Sequence, residues 1–596
     1  MKIRKIKKFL LFFSSFFLFF FFSKAAFAER RPVQIIHADF ARSLRTGAGT
    51  INRLIGNVKL LHNEATMTCD SAYLYPDNRF EAFSRVVVNK DTVWLFGDYM
   101  DYQSTTDVGK VRGKIVTLID GETRLRTQFL DFNTVTNVAY FSKGGTIDNA
   151  DDLLESEQGY YYSNEKLAIF NTKVEMQNKD YKIKSDSLHY LTNSDIATFF
   201  KKTCVFHQDG FASFHHGFYN KPNDHFFMAG NAYMMSEKQE SWSDSAHYYR
   251  TQQLGKMYDN VQLFDSAQYA MALGDYAELL EAQEIAYVTK QPVGVFFSEN
   301  VKDDTMFLKA DTLFVRRVLA ADTLKVQLDS APAADSLRVK LDSTPAADTL
   351  YLQFDSIPAA DSLRVKHDTL KYMYAFHNVR FYHPEIQGVC DSMSYSDVDS
   401  LLEMFYNPVL WNEENQLTGD KINMYIKENQ LKMLELDGAG FIASQDDSVR
   451  AYFNQVKGKI VVAHFEQNEL YKVDVFGAGQ SVYYLRDKMM LSGVNNSSSE
   501  DMIIYIKNRK VRKINYLSSP ASDILPPKDV DVRTLTLKGF TWQEKIRPQS
   551  RWEITQRSIR PSQRRESLLI PPPAFPITQR INEVKGGFLP PKNLRK

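Results

Sequence analysis

From residue 33 onward, apolar and polar side chains alternate with a period of two, in short runs separated by Asn, Gly and Asp. That period belongs to strands with one buried face, and no long stretch carries the 3.6-residue period of a helix. The runs recur in phase with a small residue followed by an acid: Cys69-Asp70, Gly97-Asp98, Ser156-Glu157, Ser185-Asp186, Ser243-Asp244, Gly274-Asp275, Ala310-Asp311, Cys390-Asp391 and Gly419-Asp420. The acids lie 28, 59, 29, 58, 31, 36, 80 and 29 residues apart, mostly one or two units of about 29, as in an array of one supersecondary unit. Four residues after the acid stand Leu74, Tyr102, Tyr161, Tyr190, Tyr248, Leu279, Val315, Tyr395 and Met424, so each acid is expected to open a short strand.

A second column precedes the acids: Gly56-Asn57-Val58, Gly230-Asn231-Ala232, Asp259-Asn260-Val261, Glu299-Asn300-Val301, His377-Asn378-Val379 and Asn407-Pro408-Val409. Asn beside Gly or Asp tolerates turn and left-handed geometry, which predicts a unit of turn, strand, turn, strand. Asn57, Asp70, Asp186, Asn231, Asp244, Asn260, Asn378, Asp391 and Asp420 are therefore assigned structural turn roles. A catalytic acid is expected once, in one special place, whereas this acid recurs nine times.

The ends differ from the body. Lys2, Arg4, Lys5, Lys7 and Lys8 precede an apolar run from Phe9 to Phe22 and the small-residue stretch 24–28, the layout of a cleaved signal peptide over residues 1–28. The run is shorter than the roughly 20 residues of a spanning helix, so the mature chain is expected to be exported into the periplasm. Residues 29–319 and 371–519 read as two β-repeat regions. Between them, residues 320–370 repeat Asp322-Thr323-Leu324, Asp335-Ser336-Leu337, Asp348-Thr349-Leu350 and Asp361-Ser362-Leu363 every 13 residues, an insertion too poor in apolar mass for a core. Residues 520–596 hold 11 of the 20 prolines and 15 Lys and Arg against 7 Asp and Glu, and are expected to be a disordered basic tail.

Charge excludes one class of partner. The chain's net +1 divides into +6 for residues 1–28, +8 for residues 520–596 and hence −13 for 29–519, so the folded body is acidic and nucleic acid is not its ligand. Three cysteines, Cys69, Cys204 and Cys390, make no disulfide framework. Cys204, His207, His215, His216 and His225 lack the tight paired spacing of a zinc site, and neither a metal nor a cofactor is expected. Phosphate-binding glycine loops, a Gly-x-Ser-x-Gly elbow and His-Glu-x-x-His are absent from the sequence, which argues against an enzyme.

What remains is apolar lining in strand phase: Val58 and Leu60, Met67, Leu74, Val174 and Met176, Val261 and Leu263, Val379 and Phe381. Two tightly packed sheets would make a core of these residues, and splayed sheets a trough for a long amphiphile. Periodicity does not choose between the two.

The Gly-Asn-Val turn, the small-Asp strand start and the apolar-x-Tyr strand resemble the OstA-like family, which includes the lipopolysaccharide-transport protein LptA and the N-terminal domain of LptD. The likeness is clearest at Gly56-Asn57-Val58 with Cys69-Asp70-Ser71 and at Gly230-Asn231 with Ser243-Asp244-Ser245, and covers most of residues 33–485. It implies an all-β, elongated open β-jellyroll, or β-taco. Such a shell shelters lipopolysaccharide acyl chains and joins LptC-like and LptD-like partners, or further copies of itself, by edge-strand pairing. The chain departs from the family in its length and in its insertion. A β-solenoid carbohydrate-active enzyme or a surface adhesin is the alternative, but no non-repeated carboxylate pair stands out from the periodic acids.

Overall fold

The computed structural model describes residues 32–297, 305–328, 363–565 and 576–591, with short gaps inside these spans, together with Leu568. The leader expected at 1–28 lies outside the described residues. The described chain is all-β: strands follow one another from Gln34 to Leu525, and the α-helices among the described residues are Arg551–Ile554 and Pro576–Asn582. None of these is long and apolar enough to cross a membrane. Contacts divide the chain into a first unit, residues 1–179 with 184–194 and 573–596, and a second, 180–183 with 195–572.

In the first unit the strands Gly49–His62, Ala65–Leu74, Phe80–Lys90 and Val93–Gln103 run back and forth, each antiparallel to the next. Every one is bent. Pairing slips between Ile55 and Val58, between Thr68 and Ser71, between Phe83 and Val86, and between Phe96 and Tyr99. These slips are β-bulges, where an extra residue kinks a strand and sharpens its twist. The halves before and after each bend belong to two facing sheets, so one strand serves both. Leu60, Met67, Val88, Leu95 and Leu118 pair side by side in one sheet and point inward.

The recurring motifs are these bends, which corrects the expected unit of turn, strand, turn, strand. Asp70, Asp186 and Asp244 lie inside the strands Ala65–Leu74, Lys182–Leu191 and Gln239–Tyr249 instead of opening them. Asp391 and Asp420 stand at the corner between two short strands. Asn57, Asn231, Asn260 and Asn378 have φ of 45°, 60°, 49° and 55°, the left-handed geometry that a bulge and a turn both require. Sequence cannot separate the two, because both select the same residues. The corner Asn of one strand then bonds the corner acid of a neighbour: Asn57 to Asp39 at 3.0 Å, Asn260 to Asp244 at 2.7 Å and Asn378 to Asp311 at 2.7 Å. The true hairpins lie elsewhere, as at Asn63 and Glu64, with φ of 47° and 65°.

The second unit repeats the scheme through His225–Ser236, Gln239–Tyr249, Leu254–Asp265 and Ala270–Leu280, then in shorter strands divided at the corners. Two expectations change here. Residues 320–328 and 363–370, assigned to the insertion, belong to the paired strands Thr312–Leu328 and Leu363–Phe376, with Leu324 opposite His367 and Leu328 opposite Leu363. Residues 329–362 lie outside the described residues. The basic tail, expected to be disordered, forms the strand Ala521–Leu525 and then an extended segment with Leu535 buried among Val482, Tyr484 and Val494. Its sparse apolar residues fill sites on the body, which composition could not show.

Candidate functional site: an apolar cavity in the second unit

The two interiors are built from the same strand phase but filled differently. In the first unit an inward row runs Leu60, Met67, Val88, Leu95, Leu118, Leu125, Ile147, Leu154 and Met176, each opposite the next. None of the nine is more than 2 % exposed. Branched and long side chains at every step leave a packed core. In the second unit the row that holds Leu263, at the position of Leu60 after its corner Asn, runs Ala212, Met234, Ser241, Leu263, Ala272, Gly294 and Leu308. Four of the seven are Ala, Ser or Gly. Facing them on the other sheet are Val288, Leu313, Ala375 and Met393, again in register. The missing side-chain volume is a cavity of about 1160 Å³ lined by both rows.

A second difference lies in the column four residues after the acid. In the first unit Tyr102, Tyr161 and Tyr190 are fully buried and reach across to the other sheet. Tyr102 Oη lies 2.6 Å from His62 Nδ1, Tyr161 donates to Asp120 at 2.8 Å, and Tyr190 donates to Asp152 at 3.0 Å. Asp120 also receives Lys166 at 2.6 Å, Ser163 at 2.7 Å and Thr92 at 2.7 Å. Burial pushes its carboxyl up, but Lys166 and the three hydroxyl donors outweigh it and hold it below the ordinary value. These bonds pin the sheets together along the hairpin edge. In the second unit the same column keeps Tyr248, which donates to Glu281 at 3.0 Å, and Tyr395, but Leu279 and Val315 stand between them, line the cavity and have no polar atom to make such a bond.

The rim is polar. Asp265, Arg317, Lys371 and Asp397 border the cavity, with Arg317 donating to Asp265 at 2.7 Å and the Lys371 amide donating to Asp397 at 2.7 Å. Burial lowers the Lys371 ammonium below its usual range. An apolar interior with a charged mouth matches the two ends of an amphiphile.

Of the ten residues assigned to lipid contact, Leu263 lines this cavity. Val58, Leu60, Met67, Leu74, Val174 and Met176 are buried in the first unit, and Val261, Val379 and Phe381 in the second. The residues that the sequence reading missed are the small ones, Ala272 and Gly294, and the facing Leu313 and Met393. Their signal was the loss of bulk within an otherwise regular row.

The other candidate chemistry is dispersed. His215 Nδ1 lies 2.6 Å from the Gly230 carbonyl, His225 lies 3.0 Å from His247, and the His207 ring packs tilted against Tyr181, centroids 5.4 Å apart. Among the described residues no group of three or more His, Cys, Asp or Glu could hold a metal ion. Cys69 and Cys390 are unpaired and buried at corners, and burial raises their thiols to about 11 and about 12, far from a reactive thiolate.

Comparison with known proteins gives one family. Residues 30–186 match the model of the family described as OstA-like protein. A search of curated proteins finds no match. Among solved structures, LptH, the LptA-homologous periplasmic component of the lipopolysaccharide transport device of Pseudomonas aeruginosa, aligns at 15 % identity. The alignment covers 18 % of this chain and 79 % of that one with a TM-score of 0.16, too loose a superposition to carry any geometry across.

Proposed function

We propose, from the OstA-like character of residues 30–186 and the hollow interior of the second unit, that this chain is a non-enzymatic carrier of an amphiphilic lipid, lipopolysaccharide, in the periplasm. The observation that carries the reading is the cavity of about 1160 Å³ between two apolar rows with a charged rim. Acyl chains entering it leave water at a gain of about 0.8 kcal/mol per methylene. Non-directional burial lets a chain slide between equivalent positions, as transport requires. The repeated acids are spread over the corners of successive strands and bond corner asparagines, a structural use that favours the carrier over the enzyme.

Strand edges supply the means of passing lipid on. Ile35, Ile36 and Phe40 are exposed on the first strands and Ile524 on the last, an arrangement suited to pairing with LptC-like or LptD-like proteins or with another copy. Photocrosslinking tests the lipid reading. A benzophenone side chain at Leu263 or Met393 is expected to capture lipopolysaccharide, and one at Leu60 or Leu125 to capture none. Equal capture at all four positions, or none at Leu263, would refute the cavity as the lipid site.

A further inference from the structure

The chain after Leu525 binds the body in an unusual way. Its backbone–backbone hydrogen bonds, among the described residues, are local, as from Phe540 to Leu537 and from Thr555 to Arg551. The body is reached through side chains instead. Gln455 takes the Leu537 amide at 2.9 Å and gives its own amide to the Leu535 carbonyl at 3.4 Å. Gln416 does the same with Gln543 and Thr541, at 2.7 and 2.6 Å. Gln262 takes the Arg560 amide and donates to the Arg560 carbonyl, both at 2.9 Å. Each carboxamide stands where a neighbouring strand's peptide group would stand, and each of the three glutamines is at most 3 % exposed. Such clamps read main chain, which every peptide offers.

Side chains add selectivity. Arg557 makes a two-pronged pair with Asp275 at 2.9 and 2.8 Å, and Arg560 lies 3.6 Å from Asp244. Ile554 packs on Met271, Leu273, Val293, Val295 and Phe307, and Phe540 on Phe441 and Phe453. The body's ladder is complete without this segment, since its strands pair with one another throughout the second unit. The segment therefore has the bonding of a ligand.

We infer that the sheet face carrying Gln262, Gln416 and Gln455, on which residues 535–565 of its own chain lie, is an exchangeable peptide-binding site that accepts the same residues of a second copy. Charge complementarity selects this occupant: the corner acids Asp244 and Asp275 meet arginines three residues apart, and only a tail of this sequence also brings Ile554 to its apolar seat. Exchange between copies makes no new kind of contact. In an isolated chain the tethered segment wins, because a flexible tether holds it at an effective concentration in the millimolar range. Copies brought together by edge pairing lose that bias.

The test uses full-length protein without lipid, so its outcome is independent of the carrier reading. A fluorescein-labelled peptide of residues 549–565 is titrated into wild type and into an R557E/R560E chain, whose own segment is weakened while its clamps remain. Anisotropy is expected to show binding about tenfold tighter to the variant. That gain is expected to vanish when D275R is added or when the peptide itself carries R557E. Equal binding to wild type and variant, or no effect of D275R, would overturn the site. The milder R557Q chain repeats the titration should the double variant fail to fold. Exchange is read by mixing wild-type copies dyed in the tail with copies dyed on the body. Energy transfer that grows after mixing supports the second-copy occupant, and its absence overturns the proposal.

Discussion

The first and second units place the same strand phase inward and obtain opposite interiors. Leu118, Leu125, Ile147 and Leu154 fill one, whereas Ala272 and Gly294 interrupt the other. Tyr161 and Tyr190 bond across the first interior, whereas Leu279 and Val315, two members of the same column in the second, have no hydroxyl to do so. A hollow in this architecture thus comes chiefly from losing bulk along the inward row, without a change of strand order. Small residues remove contact atoms, and Leu279 and Val315 offer no hydroxyl to bond across the space left.

That contrast can be broken most severely at Asp120. Asp120→Ala leaves Lys166 and the buried Tyr161 hydroxyl without their partner, and is expected to cost about 3–5 kcal/mol, read as a fall in the urea midpoint of the first unit's transition. A loss below about 1 kcal/mol would mean that the polar bonds do not close that unit. Next come paired truncations. Leu125→Ala in the filled row is expected to cost about 3 kcal/mol by opening a void. Leu279→Ala, beside space already empty, should cost about 1 kcal/mol, and equal costs would contradict the comparison. Ala272→Leu should then be tolerated within about 1 kcal/mol while lowering capture of lipopolysaccharide by a crosslinker at Leu263.

The smallest expected effect is one of pH. The Asp120 carboxyl is held below its usual value in the folded chain. It contributes stability in full above the unfolded carboxylate value and loses it as pH falls through the lower folded value. Asp120→Asn should flatten the acid limb of the first unit's stability profile and leave the second unit's unchanged. An unaltered acid limb would show that this carboxylate does not set it.

Much of this was legible in sequence. Alternation marked the strands, and the Leu60, Met67 and Val261 positions all proved buried. Asn57, Asn231, Asn260 and Asn378 have the left-handed φ of a corner, whereas Asp70 and Asp244 lie in bent strands where a turn between strands was expected, and Asn300 lies outside the described residues. The cavity was illegible, because Ala272 and Gly294 are ordinary strand residues until the facing row is known. The bound tail was illegible too, since Gln262, Gln416 and Gln455 lie far from it in sequence and their use depends on which backbone comes within reach.

The sequence by itself determined an all-β chain, the inward phase of its strands and the corners at which they bend, since these follow from local period and from residues that accept left-handed φ. Only the tertiary structure decided which interior is full and which is hollow, and that the basic tail is held against a sheet. Packing volume and backbone clamping are sums over residues that meet only once the chain has folded.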